Sequence, residues 1–166
     1  PVYGSSYFEL ADVNKDGHDD IIYTCGDNAD YSQVYKPYHG VYIFMNDGRM
    51  HYTQQYFFHM NGCYKAMADD FDKDGDLDIA AISFFPDQEK RPEEAFVYLE
   101  NNGGLNFNAL THSQTSAGRW LTMDIGDVDR DGKTDIILGN FFAPAMGSGF
   151  SYSDKTMSVM VLRNKK

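Results

Sequence analysis

Basic residues and long apolar runs are both scarce in this 166-residue chain. Only 14 lysines and arginines stand against 25 aspartates and glutamates, so the net charge is −11. An acidic chain without a basic stripe argues against nucleic-acid binding, which depends on lysine and arginine. No apolar run approaches the ~20 residues that a membrane-spanning helix needs. The content of hydrophobic residues, 42%, is nevertheless enough for one sizeable core.

Catalytic signatures are missing as well. The chain contains no H-E-x-x-H and no G-x-S-x-G motif, and its five histidines show no metal-ligand spacing. Gly147-Ser148-Gly149 reads as a flexible turn and not as a nucleophile elbow. The sequence therefore gives little support to an enzyme, although it does not exclude part of a polysaccharide lyase or hydrolase.

Three copies of one acidic loop dominate what is present. The shared pattern is D-x-[DN]-x-D-G-x-x-D, and its first positions are Asp12, Asp70 and Asp127, separated by 58 and 57 residues. Repetition at such a period indicates a repeat architecture. Thirteen of the 25 acidic residues lie in these loops.

The loop pattern predicts a calcium site. Calcium takes six to eight oxygen ligands, and side chains at positions 1, 3, 5 and 9, with a backbone carbonyl at position 7, can supply them. Glycine at position 6 permits the left-handed backbone conformation of the turn. The predicted ligands are Asp12, Asn14, Asp16, His18 and Asp20; Asp70, Asp72, Asp74, Asp76 and Asp78; and Asp127, Asp129, Asp131, Lys133 and Asp135, with His18, Asp76 and Lys133 acting through their carbonyls.

Two other interpretations of the loops are weaker. Solvated Asp-Gly turns are common in proteins. This chain repeats the loop three times and keeps all four side-chain positions each time, which argues against simple solvated turns. An EF-hand begins in the same way but needs Glu at position 12, where this chain has Tyr23, Ala81 and Leu138. The apolar runs that follow position 9 indicate strands, so each loop is expected to join two strands.

The sequence around each loop predicts four short antiparallel strands per repeat and no helix. First strands are expected at 7–11, 64–68 and 120–124, and second strands directly after each loop. Third strands are expected at 41–45, 96–100 and 159–163. Fourth strands are expected at 51–58 and 105–111, and the third repeat has none. Four-stranded units at this period are typical of β-propeller blades.

The loop and the repeat resemble the FG-GAP or VCBS family, whose repeats form the blades of integrin α-subunit heads. The resemblance implies an all-β fold of three blades at about 4–60, 61–117 and 118–166, the third incomplete, and three calcium ions. About seven blades form a closed ring in that family. Three ions would bring the net charge to about −5. Because such sites need abundant calcium, and because the chain begins at Pro1 without an initiator methionine, a secreted or cell-surface protein is expected.

The sequence leaves alternatives open for the partners of the protein and for the state of its two cysteines. Open strand edges favour either further blades of a longer parent chain or association of identical chains into a ring or fibre. Cys25 and Cys63 form one disulfide between blades or remain two thiols.

A candidate ligand face lies at the end of the blades opposite the loops. It is rich in aromatic side chains suited to a glycan, a peptide or a neighbouring subunit; packing of the rings onto their own loops is the alternative. Its residues are Tyr31, Tyr35, Tyr38, His39, Phe150 and Tyr152. The favoured function is a calcium-stabilised binding or scaffold module.

Overall fold

Three separate antiparallel sheets make up the protein in the computed structural model, which describes residues 4–27, 34–141 and 157–165. Sheet 1 contains β1 (Ser5–Ala11), β2 (Asp20–Cys25), β3 (Gly40–Asn46) and β4 (Tyr52–His59). Sheet 2 contains β5 (Cys63–Asp69), β6 (Asp78–Ser83), β7 (Phe96–Asn101) and β8 (Phe107–Leu110). Sheet 3 contains β9 (Trp120–Gly126), β10 (Asp135–Asn140) and β11 (Val159–Leu162). The strands follow one another in chain order within each sheet, and none of these sheets closes on itself in the described part of the chain.

The all-β prediction is confirmed, and so is the three-stranded third unit. Helical structure in the described ranges is limited to two short 3-10 turns, Pro92–Ala95 and Thr115–Ala117. No helix there has the length and apolar character needed to cross a bilayer. The fourth strand of sheet 2 is shorter than expected, since pairing with β7 is confined to Phe107–Leu110.

The sheets pack face to face in chain order. Neighbouring residues along a strand point to opposite faces of its sheet, so a central strand can contribute to the core on each side. Ile79 of β6 joins Ile22 and Ile43 in the core between sheets 1 and 2. Ala80, the next residue, joins Leu138 in the core between sheets 2 and 3. All six residues of β6 are buried for this reason.

The buried Trp120 anchors the start of sheet 3. Its ring belongs to the second core, and its Nε1 donates a hydrogen bond to the carbonyl of Thr115 at 2.8 Å. The hydrogen bond satisfies the indole N–H, which would otherwise be left unpaired in the interior. Trp120 is therefore a packed strand residue.

Both cysteines are buried thiols that form no disulfide in the structure. Cys25 ends β2 and Cys63 begins β5, so each lies at the end of its sheet away from the acidic loops. Burial raises the pKa of both thiols, most strongly that of Cys63. Neutral thiols are weak nucleophiles, which argues against a reactive role for this pair. The two side chains act as small apolar groups that fill the junction between sheets 1 and 2.

Two buried titratable groups at this same end have pKa values shifted in opposite directions. Burial lowers the pKa of His39 to about 4, with help from the positive charges of Lys36 and His59 and against the effect of Asp27. Burial raises the pKa of Glu94 to about 7, with help from Glu93 and Asp87, although Arg91 pairs with it at 2.6 Å. Each group prefers its neutral form in the folded state.

Glu94→Gln should make the stability fall more steeply on acidification, because Glu94 then no longer offsets the titration of His39. The unfolded His39 binds a proton below its ordinary pKa of 6.5 and the folded one only near 4. The stabilisation is thus complete above pH 6.5 and is lost as the pH falls toward 4. Urea unfolding of the variant should show a loss of roughly 2 kcal/mol between pH 7 and pH 5.

The matched variant His39→Gln removes the titration of His39 and keeps that of Glu94. Its contribution is present below the ordinary pKa of 4.5 and is lost as the pH rises through about 7. The stability of this variant should therefore rise over the same interval from pH 7 to pH 5. Equal pH slopes in the two variants would contradict both assignments.

Candidate metal centres

The three acidic loops lie at one end of the stack of sheets. They connect β1 to β2, β5 to β6 and β9 to β10, which confirms that each loop joins two strands. The connections between the second and third strands leave from the other end of each sheet. The two kinds of loop therefore occupy opposite ends of the protein.

All three loops share an unusual backbone. Position 4 carries a non-glycine residue with positive φ in each loop, namely Lys15 at 61°, Lys73 at 62° and Arg130 at 64°. The glycine at position 6 also has positive φ, between 84° and 101° in the three loops. Since no heavy atom lies within 4 Å of a Cβ built on Gly17 or Gly132, glycine is needed there for its backbone conformation and not for space.

The aspartate at position 1 organises the turn by accepting hydrogen bonds from the backbone. Oδ2 of Asp12 accepts the N–H of Gly17 at 2.8 Å, and Oδ1 accepts the N–H of Asp16 at 3.0 Å. Asp127 accepts both equivalent bonds, at 2.9 and 3.1 Å. In the second loop Gly75 donates to Asp70 at 3.1 Å. Position 1 thus holds each turn together through backbone hydrogen bonds within its own loop.

Carboxylates converge in the second and third loops. Asp70, Asp72 and Asp74 offer oxygens within 4.8 Å of one another, and Asp127, Asp129 and Asp135 do the same. These groups could hold a metal ion. In the first loop the amide Nδ2 of Asn14 donates to Asp16 at 2.9 Å, and the Asn14 Oδ1 accepts the N–H of Asp16 at 3.0 Å.

Position 9 has a second role that the sequence did not reveal. Asp20, Asp78 and Asp135 are buried, and each accepts the N–H of the asparagine at the end of the third strand, at 2.8–2.9 Å. The second oxygen accepts the N–H of position 2 in the outer loops and the hydroxyl of Tyr98 in the middle loop. Burial raises the pKa of Asp78, although the hydrogen bonds from Tyr98 and Asn101 oppose the shift.

At position 7 the backbone N–H of each loop donates to the position 5 carboxylate. His18 donates to Asp16 at 2.9 Å, Asp76 to Asp74 at 2.9 Å and Lys133 to Asp131 at 3.0 Å. The Asp76 side chain is not a member of the cluster formed by Asp70, Asp72 and Asp74. This arrangement agrees with the variety of residues found at that position.

The basic residue at position 4 links one loop to the next. Lys15 Nζ lies 2.8 Å from Oδ1 of Asp76 in the second loop, and Lys73 Nζ donates to the carbonyl of Gly132 in the third loop at 2.5 Å. Position 4 is lysine or arginine in all three loops, but this pattern was not used to predict a contact between loops. The loops are thus connected in one direction along the chain.

Of the candidate ligand face, Tyr31, Phe150 and Tyr152 lie outside the described residues. Tyr35 is exposed and its hydroxyl donates to the carbonyl of Pro86 at 3.4 Å. Tyr38 is half-buried, with Lys36 Nζ 5.9 Å from its ring centre.

His39 lies in the interior and not on a surface. Its side chain is fully buried, and its Nδ1 accepts the N–H of Gly62 at 3.4 Å. The ring packs edge-on against Tyr38 and Phe85. The face prediction missed this burial because the residue precedes β3, where the chain turns into the core.

The third loop differs from the others by an ion pair between Arg163 of the chain after β11 and Asp129 at position 3. The equivalent residues of the first two repeats are Met45 and Glu100. The guanidinium competes with any cation for the Asp129 carboxylate, and its charge repels that cation. Sequence reasoning had not found this contact, which depends on how β11 sits beside the loop.

Arg163→Met should tighten, several-fold, the binding of a cation to the carboxylates of the third loop, with Ca²⁺ as the probe. The substitution removes the competing charge and installs the residue type found in the first repeat. Isothermal titration calorimetry of the two proteins measures the change. Lys165→Met, which removes the same charge two residues further on, should leave the affinity nearly unchanged; equal effects of the two would attribute the gain to net charge alone.

The comparison with known families agrees with this geometry. The model of the FG-GAP-like repeat matches residues 12–81 and again residues 70–138. No curated protein matches the chain at a significant level. The two matches overlap at the second acidic loop and together cover well over half of the sequence. The chain therefore belongs to the FG-GAP-like repeat family.

Proposed function

We propose that this chain is an extracellular, calcium-stabilised module of propeller type that serves in binding or scaffolding. The observation that carries the proposal is the recurrence of one loop geometry at the same end of three stacked sheets. The family fits a β-propeller-like module, and the sheets follow chain order as blades do. The units would be blades at about 4–60, 61–117 and 118–166.

The residues of the loops fit calcium. All offer oxygen, the ligand atom that this ion takes, and none offers sulfur. Oδ1 of Asp70 is buried without a hydrogen-bond partner, a state that a cation would relieve. Asp70, Asp72, Asp74 and Asp78 would hold the ion of the second loop, with the Asp76 carbonyl, and the equivalent residues would do so in the first and third.

Calcium would act here through stability and not through chemistry on a substrate. Without a cation, three carboxylates within 4.8 Å repel one another and oppose closure of the loop. A bound ion would remove that repulsion and fix the turn between the first and second strands. Position 9 would transmit the constraint to the third strand through its bond to the terminal asparagine.

An aromatic cluster at the opposite end supports a role in binding. The ring of Phe84 packs against Phe141 with centroids 5.2 Å apart, and the Arg119 guanidinium lies 4.7 Å above the Phe84 ring. Tyr35 is exposed beside this cluster through its bond to Pro86. An exposed aromatic ring beside such a cluster suits a sugar or a peptide. High extracellular calcium would keep the loops loaded.

Chelation should lower the melting temperature of the protein, because an ion that binds the folded state stabilises it by mass action. Calorimetric titration should give three calcium ions per chain. Asp74→Ala should reduce this number to two and leave the remaining affinities nearly intact. Asp19→Ala is the matched control, since it removes a carboxylate at position 8, outside the ligand set. A melting temperature unaffected by both chelation and Asp74→Ala would refute the metal role.

Tyr35→Ala should abolish binding to any sugar that the protein retains on a glycan array. Tyr52→Ala, a tyrosine at the other end of sheet 1, should leave the same signal intact. Equal loss in both variants would place the binding surface elsewhere.

A further inference from the structure

The two internal junctions between sheets follow one set of contacts. We call the side of a sheet that meets the following sheet its forward face, and the side that meets the preceding sheet its rear face. Position 2 of each loop belongs to the forward face: Val13 packs against sheet 2 and Phe71 against sheet 3, each only 5% exposed. Position 4 reaches forward as well, through Lys15 and Lys73.

The forward face of sheet 3 carries the same elements without a partner in the described chain. Val128, the position 2 residue, is 52% exposed. Val159 and Val161 of β11 are exposed, whereas the equivalent residues of β3, Val41 and Ile43, are fully buried. Arg130 at position 4 is exposed and has no ion-pair partner among the described residues.

The rear face of sheet 1 is the complementary surface. Phe8 and Leu10 of β1 are 65% and 54% exposed. Their equivalents in sheet 2, Ala66 and Ala68, pack against sheet 1. Their equivalents in sheet 3, Met123 and Ile125, pack against sheet 2. Two apolar faces of matched register are therefore exposed at the opposite ends of the stack.

We propose that a second copy of this chain docks the rear face of its sheet 1 onto the forward face of sheet 3, so that copies associate head to tail. The internal junctions supply the template. Val128 would enter the second copy as Phe71 enters sheet 3, and Arg130 would reach the Gly17 carbonyl as Lys73 reaches that of Gly132. Exposed apolar faces of this extent mark interaction sites.

The contact is heterologous, since it joins two different faces. It gives a closed ring if the rotation between copies closes and an open chain if it does not. Two copies in a ring would bring six sheets together, within the roughly four to eight blades of propellers. The inference rests on how the sheets pack and not on calcium, so it can fail while the proposed metal role stands, and the reverse.

A complementation experiment tests the head-to-tail contact. Sedimentation at a series of protein concentrations, in constant calcium, should give the wild type a mass that rises above the 18.8 kDa of one chain. Leu10→Asp places a negative charge in the apolar rear face, and Val161→Asp places one in the apolar forward face. Each variant alone should therefore remain monomeric. An equimolar mixture should form a two-chain complex, because the first variant keeps an intact forward face and the second an intact rear face.

Controls separate the possible outcomes. Met50→Asp adds the same charge at an exposed residue of the β3–β4 turn and should associate like the wild type. Circular dichroism and melting curves verify that each variant folds, and Val128→Asp provides a second forward-face variant. A mixture that stays monomeric, or a single variant that still associates, overturns the proposal. A wild type that is monomeric at every concentration overturns it as well.

Discussion

The arrangement of each repeat depends on one buried carboxylate, the aspartate at position 9. Its oxygens accept N–H groups from the asparagine at the end of the third strand and, in the outer loops, from position 2 of the acidic loop. A buried carboxylate without such partners would be costly, and charge-assisted hydrogen bonds to backbone N–H groups offset that cost. In sheets 1 and 3 this one side chain ties the acidic loop after the first strand to the ends of the second and third strands. In sheet 2 both oxygens of Asp78 accept hydrogen bonds from β7, so the side chain ties β6 to β7 alone.

That constraint places the other carboxylates where a cation can use them. The turn of positive φ at positions 4 and 6 is common to the loops; carboxylates of positions 1, 3 and 5 converge in the second loop and those of positions 1, 3 and 9 in the third. The second and third loops gather their oxygens closely, and the third shares one of them with Arg163. The three loops are therefore not equivalent, even though they share one backbone.

Much of this could be predicted from the sequence, because the signals were local. The D-x-[DN]-x-D-G-x-x-D pattern located each turn, and the apolar runs around it located the strands to within a few residues. The burial of His39 and the contacts of Arg163 and Lys73 could not be predicted. These contacts depend on how one sheet packs against another or how the last strand packs beside its own loop. Residues that are close in the sequence do not indicate such long-range contacts.

Burial of β6 on both faces has a consequence for changes in chain length. Ile79 and Ala81 serve one core, and Ala80 and Ile82 serve the other. Deletion of one residue between Asp70 and Asp78 would exchange these sets, placing a methyl group where a larger side chain is needed and the larger side chain where there is no room. The acidic loop between β5 and β6 must therefore keep its length.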